Sequence, residues 1–204
     1  MVAHKGILSK NVIDRADRPN RVIAIASSMG GIEALKTVVS SLPADFPGAV
    51  AIVQHLSPMH KSHLAHILSR CTALRVKEAK EGMNLSAGTI YTTPSNKHLI
   101  INNGTLSLSD APKKHYVRPS AEYTFKSLAN SYREKAVAIV LTGCDGDGKE
   151  GVRVIKNMGG KVIVQDRNTS QVFSMPQSAI ETGCVDLVLP LDEIANSMVN
   201  LVWC

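Results

Sequence analysis

The chain has 204 residues, 44% hydrophobic and 20% charged, enough for one sizeable core in one large or two small domains. Net charge is +6 but aromatics are only 4%, too few to interleave a basic face, so nucleic acid is not the expected partner. The positive balance reads either as a soluble basic surface or as a match for an acidic partner. No apolar run approaches the ~20 residues of a membrane helix. Near the N-terminus Gly6-Ile7-Leu8 is too short to be the core of an export signal. We therefore expect a cytoplasmic protein with no membrane insertion. Cys71, Cys144, Cys184 and Cys204 are widely spaced without a C-x-x-C pair and read as reduced thiols.

Residues 1–20 are mixed and charged and read as a tail or linker remnant; one domain over 21–204 is the simplest division. Residues 22–26 are a short apolar strand, and Ile32, Leu35, Val38, Val39 and Leu42 then recur at helical spacing. A second apolar strand covers 49–54 and leaves through His55-Leu56-Ser57-Pro58, with a helix over 60–69. Strands follow at 74–77 and 88–93. Residues 98–102 and 105–109 form a hairpin whose Asn103-Gly104 is a type I′ signal. A loop that turns basic at Lys113-Lys114 leads through Arg118-Pro119 to Ser120, the expected N-cap of a helix over 121–132. A third buried strand, 136–141, opens into the glycine-rich turn 142–148 and a helix to Met158. Then come a strand at 161–165, a helix over 176–182 started by Pro176, a strand at 185–189 and a helix over 191–202. Apolar strands alternating with amphipathic helices predict an α/β fold: a doubly wound, mostly parallel sheet with helices on both faces and one antiparallel hairpin.

In such sheets ligands bind outside the carboxyl ends of the strands. Three loops that leave such ends carry chemistry: Ser28, His55, and the turn holding Asp145 and Asp147. Ala26-Ser27-Ser28-Met29-Gly30 has the spacing of a nucleophile elbow with Ala in the first glycine position. On its own it fits a helix cap, a phosphate loop or a nucleophile. The P-loop lysine is missing, and Gln54-His55 stands where an acidic residue would hold a ribose, so nucleotide binding falls behind. An alcohol, an imidazole and a carboxylate are the three groups of a nucleophilic triad, whose order along the chain is free. Spacing alone does not choose between Asp145 and Asp147. A calcium loop at Asp145-Gly146-Asp147-Gly148 is set aside because Lys149 falls where a third oxygen ligand belongs. The series His60, His63, His66 lacks a partner carboxylate and reads as polar surface, so no metal is expected.

The stretches IASSMGG, VQHLSP, TIYTTPSNKHL, VRPSAEYTF, LTGCDGDGKEG, QDRNTSQVFSMPQSAI and VDLVLPLDEIA, in this order, resemble the catalytic domain of the chemotaxis protein-glutamate methylesterases, CheB. The resemblance runs from about Arg21 to Val202. It implies a cofactor-free serine hydrolase that removes methyl groups from glutamyl methyl esters on the cytoplasmic helices of chemoreceptors and deamidates certain receptor glutamines. By the same resemblance Ser28 is the nucleophile, His55 the base and Asp147, not Asp145, its carboxylate. Backbone N–H groups near Met29 and Cys144 would line the oxyanion site, and Lys113, Lys114 and Arg118 would face an acidic substrate surface. Three departures stand out. Met29 replaces the family's usual threonine. Cys144-Asp145 replaces Met-Gly, placing a negative charge near a developing oxyanion. The receiver domain that precedes many members is not expected in about twenty residues, which leaves a separate response regulator as a candidate partner. Two rivals remain: an interaction domain of the same fold with weakened chemistry, and a serine esterase acting on another ester.

Overall fold

Runs such as VIAIAS and AVAIVQ are buried along their whole length, as strands covered on both faces must be. A computed structural model describes residues 18–57 and 62–203. In chain order the elements begin with β1 (Val22–Ser27), α1 (Gly31–Ser40), β2 (Ala49–Gln54), α2 (Leu64–Ser69), β3 (Arg75–Glu78), β4 (Met83–Asn84), β5 (Thr89–Thr92), β6 (His98–Asn102) and β7 (Thr105–Ser109). They continue with α3 (Ala121–Tyr132), a short 3-10 turn, β8 (Ala136–Val140), α4 (Lys149–Asn157), β9 (Lys161–Gln165), α5 (Ser174–Ile180), β10 (Leu187–Leu189) and α6 (Leu191–Trp203).

Seven strands form one sheet in the order β10-β9-β8-β1-β2-β5-β3, and every pairing in it is parallel. Alternate side chains go to opposite faces. Val22, Ala24 and Ala26 of β1, with Ala49, Ala51, Ala136 and Ala138 beside them, share a core with Phe125 and Leu128 of α3 and Val152 and Ile155 of α4. The small side chains on this face leave room for α3 to lie close to the sheet. The bulkier Ile23, Ile25, Val50, Ile52, Val137 and Ile139 pack on the other face against Leu35 and Val38 of α1, Leu64 and Leu68 of α2, and Ile194 and Met198 of α6. A second, antiparallel sheet, β4-β7-β6, adds Leu99, Ile101 and Leu106 to the α3 side.

The sequence reading differs from this architecture at four places. The helix expected over 60–69 begins at Leu64, and His60 lies outside the described residues. The two-residue strand β4 is too short to leave a periodic signal. Helix α5 starts at Ser174, ahead of Pro176, because proline is tolerated throughout a first turn whose N–H groups lack intrahelical acceptors. The strand read at 185–189 begins two residues later. The hairpin is as expected: Asn103 and Gly104 have φ of 44° and 94°, the left-handed pair that a I′ turn needs.

This topology positions the site. From β1 the chain first builds β2, β5 and β3 on one side, then returns to build β8, β9 and β10 on the other. The direction reverses at β1 and β8, and in doubly wound sheets the crevice at such a point is where ligands bind.

Candidate active site

Ser27 closes β1 fully buried, and its Oγ donates to Gln54 Oε1 at 2.7 Å. The Gln54 amide donates in turn to the carbonyls of Ser28 at 2.8 Å and His55 at 3.0 Å. One glutamine side chain thereby ties together the loops that leave β1 and β2. The next loop is tied in through Ser28 N, which donates to Thr142 O at 3.0 Å. Gly30, at φ 76°, supplies the left-handed turn into α1. Gly143 is needed for a different reason: a Cβ there would sit 2.8 Å from Ser28 Cβ and against the Met175 sulfur. Ser28 is therefore packed directly on the β8 loop. Among the described residues, the backbone N–H groups of Met29 and Cys144 have no acceptor, and neither does the Ser28 hydroxyl.

Asp147 is 2% exposed and lies at the N-terminus of α3. Its Oδ2 accepts from His55 Nε2 at 2.8 Å and from Ala121 N at 2.6 Å. Its Oδ1 accepts from Ser120 Oγ at 2.5 Å and from Glu122 N at 3.4 Å. Helix N-terminal N–H groups and the helix dipole both favour a carboxylate there. Ser120 is held by a further layer, since its N–H donates to His98 Nδ1 at 3.1 Å while His98 Nε2 donates to Pro112 O at 3.2 Å. Burial lowers the pKa of His98, and the two hydrogen bonds fix it as the neutral Nε2–H tautomer. The neighbouring helix is capped in a similar way. Buried Glu122 accepts from Glu150 N and Gly151 N, both at 2.8 Å, and so closes the N-terminus of α4, whose own cap residue is Gly148.

His55 lies between two carboxylates. Its Nε2 contacts Asp147, and its buried Nδ1 is 3.5 Å from Asp145 Oδ2, with no hydrogen-bond partner among the described residues. Burial alone would lower its pKa, but Asp145 and Asp147 outweigh that and push it up to about 9. For Asp147, burial pulls upward, and the His55 imidazolium together with the Ser120 and Ala121 donors brings the carboxyl below its ordinary value. The ring thus lies between two carboxylates that both favour its charged form.

Among the residues singled out in the sequence, His55 and Asp147 are in direct contact; Ser28 has no hydrogen bond to His55 among the described residues, and its main chain is tied to the His55 carbonyl through the Gln54 amide and to the loop after β8 through Thr142 O. Met29 is 55% exposed at the rim. Lys113 and Lys114 are exposed on the loop before α3, where Lys113, Tyr116, Val117 and Arg118 share a hollow of about 100 Å³ with His55. Arg118 lines it with its guanidinium already engaged: it donates to Asn96 Oδ1 and to the carbonyls of Asp110 and Ala111. Sequence reasoning missed Gln54 and Glu122. Their one trace was a polar residue at the end of an otherwise apolar strand and an acid in a helix's first turn. It gave Ser120 its cap role but not its bond to Asp147.

The CheB methylesterase family profile matches residues 23–198, from the start of the parallel sheet to within α6. The chain belongs to the CheB methylesterase family. The fold agrees with the crystal structure of the Thermotoga maritima CheB methylesterase catalytic domain. The TM-score is 0.85 at 36% identity, over 89% of this chain and 98% of that one. A curated relative from Anaeromyxobacter dehalogenans (strain 2CP-C), "Protein-glutamate methylesterase/protein-glutamine glutaminase 2", is 43% identical over 180 residues, 88% of this chain and 53% of its own length. One of the same name from Methanosarcina acetivorans is 38% identical over 201 residues, 95% of this chain and 56% of its own. The chain thus spans about half the length of these curated relatives. A Leptospira interrogans relative, 37% identical over 180 residues, is matched over 93% of its own length. Among the described residues, no helix is long and apolar enough to cross a membrane.

Proposed function

We propose that residues 21–204 form the catalytic unit of a serine hydrolase acting on glutamyl methyl esters, with Ser28 as nucleophile, His55 as base and Asp147 as the carboxylate that orients His55. The observation that carries this reading is the buried 2.8 Å contact between His55 and Asp147 beside Ser28 at the switch point of the sheet. Because Asp147 holds Nε2, Nδ1 is the ring nitrogen left to take the serine proton.

Ser28 Oγ attacks the ester carbonyl carbon, its proton passes to His55 Nδ1, and the carbonyl π pair moves onto oxygen. The free N–H groups of Met29 and Cys144 are the donors to that oxyanion, each worth on the order of 10²–10³ in rate. Collapse breaks the bond to methoxide, which leaves as methanol with the proton from His55. Water then attacks the acyl-serine through the same base, and the free glutamate departs. A glutamine side chain would follow the same course with ammonia as leaving group, in keeping with the double name of the relatives. Lys113 and Lys114, exposed beside the His55 hollow, suit an approaching acidic helix of a chemoreceptor, an attraction that acts mainly on the rate of encounter.

The test is methanol release from a methylated chemoreceptor cytoplasmic fragment. The wild-type chain should release methanol and Ser28→Ala should not, with its thermal unfolding unchanged. An undiminished Ser28→Ala rate would remove Ser28 as nucleophile. Absence of release by both proteins, with the receptor fragment still bound, would favour a docking domain.

A further inference from the structure

Asp145 is the most unusual residue around His55. It stands where the family motif quoted above has glycine, and its backbone takes the glycine conformation, φ 76°, which aspartate and asparagine tolerate better than other side chains. Its two oxygens serve two partners. Oδ1 accepts from Asp147 N at 2.9 Å and pins the turn that carries Asp147. Oδ2 faces His55 Nδ1 at 3.5 Å, at ion-pair range and beyond hydrogen-bond length. That nitrogen is the one the serine proton must reach.

We propose that Asp145 is a positioning residue that competes with Ser28 for Nδ1 of His55, holding the ring as a carboxylate-clamped imidazolium and keeping the base idle near neutral pH. The inference rests on the reading of Ser28 and His55 as nucleophile and base. Protonated His55 has no lone pair to offer, since Nε2–H faces Asp147 and Nδ1–H faces Asp145. Once Nδ1 gives its proton to solvent, its lone pair repels the facing Oδ2, which turns away while Oδ1 keeps its bond to Asp147 N, and the nitrogen is free for Ser28. Asp145 is about a third exposed, so its side chain has somewhere to go. The other groups around the ring do not supply this control. Asp147 is buried and fixed by Ser120 and α3, Arg118 is committed to Asn96 and backbone carbonyls, and Lys113 and Tyr116 face the hollow. Both carboxylates raise the His55 pKa, so the charged, idle form is favoured at neutral pH.

Asp145→Asn is the discriminating variant, because it keeps an acceptor for Asp147 N and the left-handed backbone while removing the charge. Asp145→Gly checks that the effect does not belong to the amide. The first readout is the His55 ring ¹⁵N titration by NMR, recorded in a Ser28→Ala background so that it is independent of turnover. The midpoint should fall by a unit or more in both Asp145 variants; an unmoved midpoint overturns the proposal. The second is the pH profile of kcat/KM for methanol release with Ser28 intact. Its rising limb should move toward acid by the same amount, raising activity at pH 7 by about tenfold per unit. A moved NMR midpoint with an unmoved rate profile would count against His55 as the base and overturn the claim that Asp145 holds that base idle, whereas an unmoved midpoint beside a Ser28-dependent rate would overturn the proposal alone, so the two readings fail separately.

Discussion

Replacing His55 by glutamine should change how the stability of this protein depends on pH. The folded-state pKa of His55 is raised from 6.5 to about 9 because Asp145 and Asp147 overcome the cost of burial. A group raised on folding contributes stability that is fully present below its unfolded pKa and is lost as pH rises through the folded one. The window is therefore pH 6.5 to about 9, and a shift of that size corresponds to about 3 kcal/mol. This is a large share of the ~5–15 kcal/mol by which domains are stable. The assay is urea unfolding at pH 6 and pH 10 for wild type and His55→Gln. The difference in unfolding free energy between the two proteins should shrink or change sign by about 3 kcal/mol across the interval, with other titrating groups cancelling in the comparison. Asp147 works in the opposite sense. Its lowered pKa adds stability above the unfolded carboxylate value that is lost in acid. Parallel pH–stability curves for wild type and His55→Gln between pH 6 and 10 would refute the electrostatic account of the site.

Glu122→Ala should lower the unfolding free energy by about 2–3 kcal/mol in urea at unchanged m-value, because it strips the acceptors from Glu150 N and the buried Gly151 N. Glu122→Gln should cost less, since one carbonyl acceptor remains. Gly143→Ala should depress kcat/KM by on the order of 10², since its Cβ would press on Ser28 and Met175 and displace the serine; the check is steady-state kinetics beside a circular dichroism melt.

Much of this architecture was written in the sequence because its signals are strong locally. Near-continuous apolar strands of five and six residues, glycine-closed turns and the Asn103-Gly104 hairpin each carry their own physical cause. The loops that carry Ser28, His55 and Asp147 were legible as a group because they all leave carboxyl ends of parallel strands. The choice of Asp147 over Asp145 was not legible from spacing, since the two lie two residues apart in one turn. Three dimensions separate them: Asp147 is buried on the N-terminus of α3, and Asp145 sits partly exposed on the other ring nitrogen. The roles of Gln54, Glu122 and His98 were illegible for a related reason. Each is a contact between elements more than twenty residues apart in sequence, and a lone polar residue in a strand or helix gives no sign of where its partner lies. Arg118 shows the converse: a surface-facing charge in the sequence that folding turns inward onto Asn96 and two carbonyls.

The central claim, an alcohol at the end of β1 activated by a carboxylate-paired imidazole, is tested most directly by covalent labelling with a fluorophosphonate followed by peptide mass spectrometry. The adduct should map to Ser28, form faster as pH rises toward 9, and nearly vanish in His55→Gln. Labelling absent from Ser28, or equally fast without His55, would contradict it.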